Sequence, residues 1–289
     1  MILKIKIYLC TKLKIENILF PTDLSELSKS ALKTAVAICK RQHAKLTLLH
    51  VEDNISLNIR SKSYVFDEKR MIDFFNQVYK ETKISQQFQL EVKTIVEKGN
   101  PADVICNVAN EGGYSIIVIG ANGASGIGKK TGSTAFSVVK NAPCPVLIVP
   151  GDWERQNFKK IIYPIRMDQK VFEKYNYIES IIEKNNSELI IAGLADKNEP
   201  EQIKEAVFSI DLLRNMCEED KIPYSTVILP CNNFATKIID KANIVNADLI
   251  VISSHIDYDS KENFIGYFAQ DIVNQSKCPV LSISPLLNK

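Results

Sequence analysis

A glycine-rich run with the sequence GANGASGIGKKTGST occupies residues 120–134 and contains the residue types that hold phosphates. Glycine tolerates positive φ angles and close approach of a ligand, so successive backbone N–H groups can converge on an anion. A helix predicted to begin at Ser133 adds its positive dipole end and its unpaired amides. The run therefore predicts a phosphate-binding loop. Its candidate contacts are Gly120, Ala121, Gly123, Gly132, Ser133 and Thr134.

Two lysines, Lys129 and Lys130, lie inside this run and can either reach a phosphate or remain solvated surface cations. Residues 123–130 also fit the pattern G-x-x-x-x-G-K of the phosphate-binding loop of NTPases. That pattern needs Ser or Thr after its lysine to bind magnesium, whereas Lys130 stands there. An NTPase loop also follows the first strand of its domain, and this run follows the fourth. The sequence therefore favours another kind of phosphate site.

Two further candidates lie at the ends of short apolar strands that are predicted at residues 17–21 and 45–51. Asp23 lies just beyond the first strand, and Val51 ends the second. Open parallel sheets bind ligands outside the carboxyl ends of their strands, where an aspartate can accept hydrogen bonds from hydroxyl or amine groups. Asp23 is also a candidate helix N-cap, although Ser25 is available for that role. Val51 can equally belong to the core of the sheet.

Groups for acid–base or nucleophilic catalysis are scarce. The chain has three histidines and no Ser-His-Asp spacing. Its seven cysteines include no CxxC pair, which disfavours zinc and disulfides and predicts buried thiols in a reducing cytoplasm. No paired carboxylates stand beside the glycine run to hold magnesium. We therefore expect binding rather than efficient catalysis.

Apolar strands alternate with amphipathic helices along the first half of the chain. The 3.6-residue period predicts helices at residues 28–42, 67–86, 101–110 and 133–140. Apolar runs predict strands at residues 17–21, 45–51, 90–96, 115–119 and 143–150. Because these strands are apolar without alternation, they indicate a parallel sheet with helices on both faces.

The second half of the chain repeats this pattern. Residues 160–164 (KIIYP) match residues 17–21 (NILFP) at an offset of 143. Residues 248–252 (DLIVI) match residues 115–119 (SIIVI) at an offset of 133. The repeat indicates an internal duplication with a shorter second copy.

The duplication predicts two tandem α/β domains, at residues 14–150 and 158–289, each a mainly parallel five-stranded sheet. Polar residues 151–157 are the expected linker. With 289 residues and 45% hydrophobic content, the chain can form two cores.

A net charge of +2 provides no field that would attract nucleic acid. Residues 1–13 are interrupted by lysines and too short to span a membrane, so we expect a strand-like or disordered extension.

Together these residues resemble the universal stress protein family in its tandem form. The likeness rests on pieces that occur in the family's order: PTDLS at residues 21–25, LLHV at 48–51, the glycine run, and CPVLIV at 144–149. The family's loop is written G-x2-G-x9-G-S/T, and this chain has one residue fewer between Gly123 and Gly132.

The resemblance implies a HUP- or Rossmann-like fold that binds ATP, ADP or AMP as a regulatory or sensing module in the stress response. Asp23 and Val51, with the neighbouring Pro21 and Thr22, would face the adenosine. The glycine run, with Ser133, would line the ribose and phosphates. Magnesium would have no identified protein ligand.

The resemblance also implies how domains associate and how little chemistry they perform. The last strands of the two domains, at residues 146–149 and 280–283, would pair within one chain, and a homodimer is a further option. No membrane partner is implied. At most, slow ATP hydrolysis or autophosphorylation on Ser133 or Thr134 would occur.

The second half lacks both parts of the predicted site. Arg166 stands where the first half has Asp23, which replaces an acceptor by a cation with no acceptor capacity. Residues 253–259 (SSHIDYD) stand in place of the glycine run, and their two aspartates would repel phosphate. We therefore expect one nucleotide per chain, with Arg166 reaching an acid or phosphate of the other half. The alternative is a dimerising scaffold that binds a partner protein without nucleotide.

Overall fold

The computed structural model describes residues 14–52, 68–82, 89–121, 133–166, 171–253 and 267–283. The expected N-terminal extension at residues 1–13 lies outside the described residues. The first half forms β1 (Asn17–Pro21), α1 (Glu26–Gln42), β2 (Lys45–Glu52), α2 (Glu68–Glu81), β3 (Val92–Lys98), α3 (Pro101–Glu111), β4 (Ile116–Ala121), α4 (Ser133–Asn141) and β5 (Val146–Pro150).

The second half follows the same order of elements. It forms β6 (Lys160–Ile165), α5 (Val171–Asn185), β7 (Glu188–Ala195), α6 (Pro200–Glu219), β8 (Tyr224–Pro230), α7 (Phe234–Val245), β9 (Leu249–Ser253), α8 (Tyr267–Gln275) and β10 (Val280–Ile283). Strands and helices alternate in both halves, which confirms the predicted α/β fold class.

The ten strands form one sheet, in the order β3-β2-β1-β4-β5-β10-β9-β6-β7-β8. Neighbouring strands within each half are parallel. The last strands of the halves, β5 and β10, are antiparallel, with Leu147 opposite Leu281. The two five-stranded sheets are therefore joined edge to edge rather than separate.

The central strands are buried because helices cover the sheet. Ile18, Leu19 and Phe20 of β1 have no exposed surface, and Leu32 of α1 is also fully buried. A continuous apolar run suits a strand covered on both faces. Helix α1 ends at His43, whose φ of +56° gives a left-handed C-cap that turns the chain into β2.

The third strand differs from its prediction at residues 90–96, because β3 runs from Val92 to Lys98. Its last two residues, Glu97 and Lys98, are exposed yet pair with Val51 and Glu52 of β2. Charged residues are typical of an edge strand, where they discourage pairing with other chains. An apolar pattern alone therefore missed the end of this strand.

The connector between the halves is packed against the second half, although residues 151–157 read as a polar linker. Trp153 is buried, and the Arg155 guanidinium lies 4.4 Å from its ring centroid. Arg155 Nη1 pairs with Asp248 Oδ1 at 2.7 Å. Arg155 also donates to the carbonyls of Asn246 and Ala247. A tryptophan and an ion pair therefore fix this segment.

Candidate functional site

A cavity of about 300 Å³ lies where β1, β2 and β4 reach their carboxyl ends. This is the edge of an open parallel sheet at which ligands bind. The first turn of α1 and the starts of α3 and α4 complete the walls. The lining residues are Pro21, Thr22, Asp23, Ser25, Leu27, Ser28, Leu49, His50, Val51, Pro101, Ile105, Ile119, Gly120, Ala121, Thr134 and Ala135.

The cavity brings together most of the residues that the sequence singled out as site candidates. Those present in its lining are Pro21, Thr22, Asp23, Val51, Gly120, Ala121 and Thr134. Ser133 begins α4, but its side chain is outside the described part, and Gly123 and Gly132 lie outside the described residues. The alternative NTPase motif at residues 123–130, with both its lysines, lies there too. Their roles as ligand contacts stay predictions.

Asp23 lies on an exposed turn between β1 and α1. Its Oδ1 accepts a hydrogen bond from the Ser25 amide at 3.0 Å, and Ser25, not Asp23, is the N-cap of α1. The next residue, Leu24, has a φ of +59°, a conformation that costs a side chain about 1–2 kcal/mol. This strained turn holds the Asp23 carboxylate at the mouth of the cavity.

A chain of hydrogen bonds fixes the turn from beneath. The Leu24 amide donates to Thr22 Oγ1 at 3.0 Å, and Thr22 Oγ1 lies 3.2 Å from Ser28 Oγ. Ser28 Oγ donates to the Ser25 carbonyl at 2.7 Å. Because that bond uses the Ser28 proton, the Thr22 hydroxyl donates to Ser28. Two buried hydroxyls thus tie the turn to the first turn of α1.

His50 is a wall residue that the sequence did not assign to the site. Its Nδ1 lies 2.9 Å from the Thr22 carbonyl oxygen. Since a carbonyl only accepts, Nδ1 carries the proton and donates this bond. The ring therefore links the ends of β1 and β2 at the cavity wall. Its neighbour Val51 is half-buried, lines the cavity and also packs against the core.

Gly120 lies where α1 crosses the end of β4. A Cβ at this position would stand 3.4 Å from Ser28 Cα and 3.5 Å from the Leu27 carbonyl, so larger side chains would crowd the helix. Ala121 follows, and its carbonyl accepts from the Gly151 amide at 3.0 Å. The connector between the halves therefore holds the end of β4.

The described lining combines an apolar wall with one carboxylate. Leu49, Ile105 and Ile119 supply apolar surface, whereas Asp23 is the only carboxylate among the described lining residues. Such a mixture suits a small molecule with an apolar ring and a few polar groups. In the described ranges, no group of three or more His, Cys, Asp or Glu residues is arranged to hold a metal ion.

At the corresponding position of the second half, the side chains of Arg166 and Lys174 lie near the end of β6. The Arg166 guanidinium lies 4.6 Å from the centroid of the Phe234 ring. Lys174 is buried, and its Nζ lies 3.3 Å from the Pro164 carbonyl and 5.0 Å from the Tyr163 ring centroid. The expectation that Arg166 reaches the other half is wrong, because it stacks on a ring of its own half.

Gly193 matches His50 in the repeat, and α6 approaches the sheet there. A Cβ on Gly193 would lie 2.8 Å from Ile210 Cδ1 and 3.2 Å from Ala206 Cβ. The helix thus occupies the space above the end of β7. Among the described residues, the second half thus has a cation in place of the Asp23 carboxylate and a helix packed close to the position of His50.

The cysteines largely follow the prediction of buried thiols. Burial raises the pKa of the Cys39 and Cys144 thiols to about 12, which keeps both protonated at neutral pH. Cys106 and Cys231 are only half-buried, so the prediction was wrong for them, and Cys10 lies outside the described residues.

No helix in the described part is long and apolar enough to cross a bilayer.

Comparison with known proteins agrees with this architecture. The model of the universal stress protein family matches residues 14–150. Universal stress protein YxiE of Bacillus subtilis is 36% identical over 144 residues, which cover 46% of this chain and 97% of that protein. A universal stress protein of Methanocaldococcus jannaschii is 30% identical over 138 residues, covering 46% of this chain and 81% of that protein.

A solved structure extends the likeness of the fold over both halves. A universal stress protein from Archaeoglobus fulgidus superposes with a TM-score of 0.73 at 18% identity, covering 94% of this chain and 97% of that one. The fold and the site define an open-sheet α/β protein with a cavity at its carboxyl strand ends. The chain belongs to the universal stress protein family.

Proposed function

We propose that this protein binds one adenine nucleotide, ATP, ADP or AMP, in the cavity of its first half, as a regulatory or sensing module in the stress response. The observation that carries the proposal is the meeting of Asp23, Val51 and Gly120 around one cavity at the carboxyl ends of three parallel strands. We assign residues 14–150 to this nucleotide-binding domain and residues 158–289 to a degenerate copy.

The chemistry of the lining supports an adenosine group in this cavity. Ile105, Ile119 and Val51 provide apolar surface for a planar base. The Asp23 carboxylate can accept hydrogen bonds from ribose hydroxyls or an amine. The phosphates would then follow the glycine run beyond Ala121 towards Thr134, which starts α4 together with Ser133.

We propose that the second half holds no nucleotide. A cation, Arg166, replaces the acceptor and rests on Phe234. Buried Lys174 lies against the Pro164 carbonyl, and α6 packs close to Gly193. A base or ribose would have to displace these side chains before it could bind.

We further propose that binding, not turnover, is the main activity. The sequence offers no paired carboxylates beside the glycine run that could hold magnesium for phosphoryl transfer. Any magnesium would therefore be held mainly by the phosphates of the nucleotide. Slow hydrolysis or autophosphorylation on Ser133 or Thr134 is the most chemistry that we expect.

The test is to release bound molecules from the purified protein for mass spectrometry and to titrate ATP, ADP and AMP by calorimetry. Loss of the Asp23 carboxylate in Asp23→Ala should weaken binding about 10- to 100-fold, because a hydrogen bond to a charged group contributes about 1.5–3 kcal/mol. Gly132→Val should also weaken binding if the glycine run holds phosphates.

The matched control is Arg166→Ala, at the corresponding position of the second half, which should leave the affinity unchanged. Wild-type protein that carries no nucleotide and binds none of the three in titration would contradict the proposal. That result would favour a scaffold that binds a partner protein.

A further inference from the structure

The sheet has two outer edges, β3 and β8, and each leaves a row of backbone groups pointing away from the sheet. Two backbone hydrogen bonds to β7 show which residues of β8 face inward and which face outward. The Leu189 amide donates to the Pro223 carbonyl, and the Cys231 amide donates to the Ala195 carbonyl. In a parallel ladder, every second residue directs both its N–H and its C=O group to the same neighbouring strand. The odd-numbered residues of β8 therefore face β7, and the N–H and C=O groups of Tyr224, Thr226 and Ile228 point outward.

The two edges differ in how they are protected. In β3, Lys93, Glu97 and Lys98 are exposed, and Lys98 pairs with Glu52 at 3.4 Å. Charged side chains of this kind are a common defence against pairing with another chain. In β8, residues 224–230 read YSTVILP and contain no charged side chain. Within the described ranges, no hydrogen bond reaches the outward backbone groups of β8.

The sequence of β8 is suited to pair with itself. If a second copy lies antiparallel with Thr226 opposite its own counterpart, Tyr224 lies opposite Ile228 of the second copy. Aromatic and β-branched residues are favourable cross-strand partners, and no like charges would face each other. Pro230 has no N–H, so pairing ends near the carboxyl end of the strand.

The flank of α6 beside β8 is also self-complementary. The Tyr224 hydroxyl donates to Glu218 Oε1 at 2.7 Å, so the helix stripe of Val207, Asp211, Arg214 and Glu218 faces this edge. Asp211 and Arg214 are both about half exposed and pair with each other at 3.3 Å within the helix, so either can exchange its partner for the opposite charge of a second copy. A two-fold axis perpendicular to the sheet would set these opposite charges of the two copies against each other. Val207 adds exposed apolar surface on the same stripe.

The chain already contains a junction of this design. Strands β5 and β10 pair antiparallel, and on that junction the side chain of Gln42 in α1 donates to the Ser180 carbonyl in α5 at 3.1 Å. An antiparallel strand pair with helices meeting on one face therefore joins two copies of this fold within one molecule.

We propose that β8 is a docking edge for a second copy of this chain, which pairs antiparallel through residues 224–228 to extend the sheet across a two-fold axis. This interface is distinct from the β5–β10 junction and does not depend on the nucleotide proposal.

Analytical ultracentrifugation of the full-length protein over a range of concentrations tests the proposal. The wild type should form a dimer. Thr226→Pro removes an outward N–H but no bond to β7, and it should weaken the dimer at least tenfold. The matched control is Thr94→Pro in β3. Odd-numbered residues at both ends of this strand are hydrogen-bonded to β2, so the even-numbered Thr94 also directs its N–H outward. This control should remain dimeric.

A second variant, Thr226→Lys, places like charges opposite each other across the two-fold axis and should also give monomers. Circular dichroism spectra that match the wild type would show that both Thr226 variants are folded. A wild type that is monomeric at all concentrations would overturn the proposal. So would a dimer that survives both Thr226 changes, or one that Thr94→Pro dissociates.

Discussion

The two halves of this protein have the same order of strands and helices but differ at the carboxyl ends of their first two strands. In the first half, Asp23 and His50 stand beside an open cavity. In the second half, Arg166 stacks on Phe234, and α6 closes over Gly193. Two copies of the same backbone can therefore differ at this edge of the sheet through a few side chains at the ends of the strands.

The halves also differ in how the start of the first strand is fixed. In the first half, Ser115 Oγ accepts from the amides of Glu16 and Asn17 at 3.0 and 3.4 Å. In the second half, Asp248 Oδ2 accepts from the amides of Lys159 and Lys160 at 2.8 and 2.9 Å. The aspartate performs the same task as the serine and in addition binds Arg155 of the connector.

The largest expected effect follows from this difference. Asp248→Ala should reduce the free energy of unfolding by about 3–5 kcal/mol, because two amides lose a charged acceptor and the half-exposed Arg155 loses its partner. Ser115→Ala should cost only about 1 kcal/mol, the usual net loss for neutral hydrogen bonds. Urea unfolding measures both. Equal losses would show that the charge of Asp248 adds nothing.

Exchange of the residues that distinguish the two sites is the next test. Asp23→Arg gives the first half the cation of the second and should weaken ATP binding at least a hundredfold in calorimetry, or about 3 kcal/mol. Arg166→Asp should not create a second site, because Lys174 and α6 still lie against the ends of β6 and β7. Recovery of a second bound nucleotide in that variant would contradict our explanation of the closed site.

A smaller effect is expected at the glycines. Gly193→Ala should lower the free energy of unfolding by about 1 kcal/mol, since the new methyl group must push the flexible end of Ile210 aside. Gly120→Ala is the matched control and should change it by less than about 0.5 kcal/mol, because its neighbours stand at ordinary contact distances. Thermal unfolding compares the two, and a larger loss at Gly120 would reverse the comparison.

The fold was largely predictable because the strands are unbroken apolar runs and the repeat marks both halves. Residues 17–21 and 160–164 correspond closely to β1 and β6. The end of β3 was not predictable from hydrophobicity, because Glu97 and Lys98 pair with β2 while facing solvent. The packed connector was also missed, since a single tryptophan among polar residues carries little signal.

The sequence could predict the cavity-wall residues that lie at or just after the end of a strand. Asp23, Val51 and Gly120 all stand at strand ends, where parallel sheets bind ligands. Ser28 was not predictable, because its place depends on how the first turn of α1 packs over Gly120. His50 was also missed, since its role depends on a bond to the Thr22 carbonyl that only the register of β1 and β2 creates.

The number of nucleotides bound per chain distinguishes a single site in the first half from two equivalent sites. Calorimetric titration of the full-length protein with ATP should give a stoichiometry of one, and Asp23→Ala should weaken that binding while Arg166→Ala leaves it unchanged. Two nucleotides per chain, or one that responds to Arg166 and not to Asp23, would contradict the account.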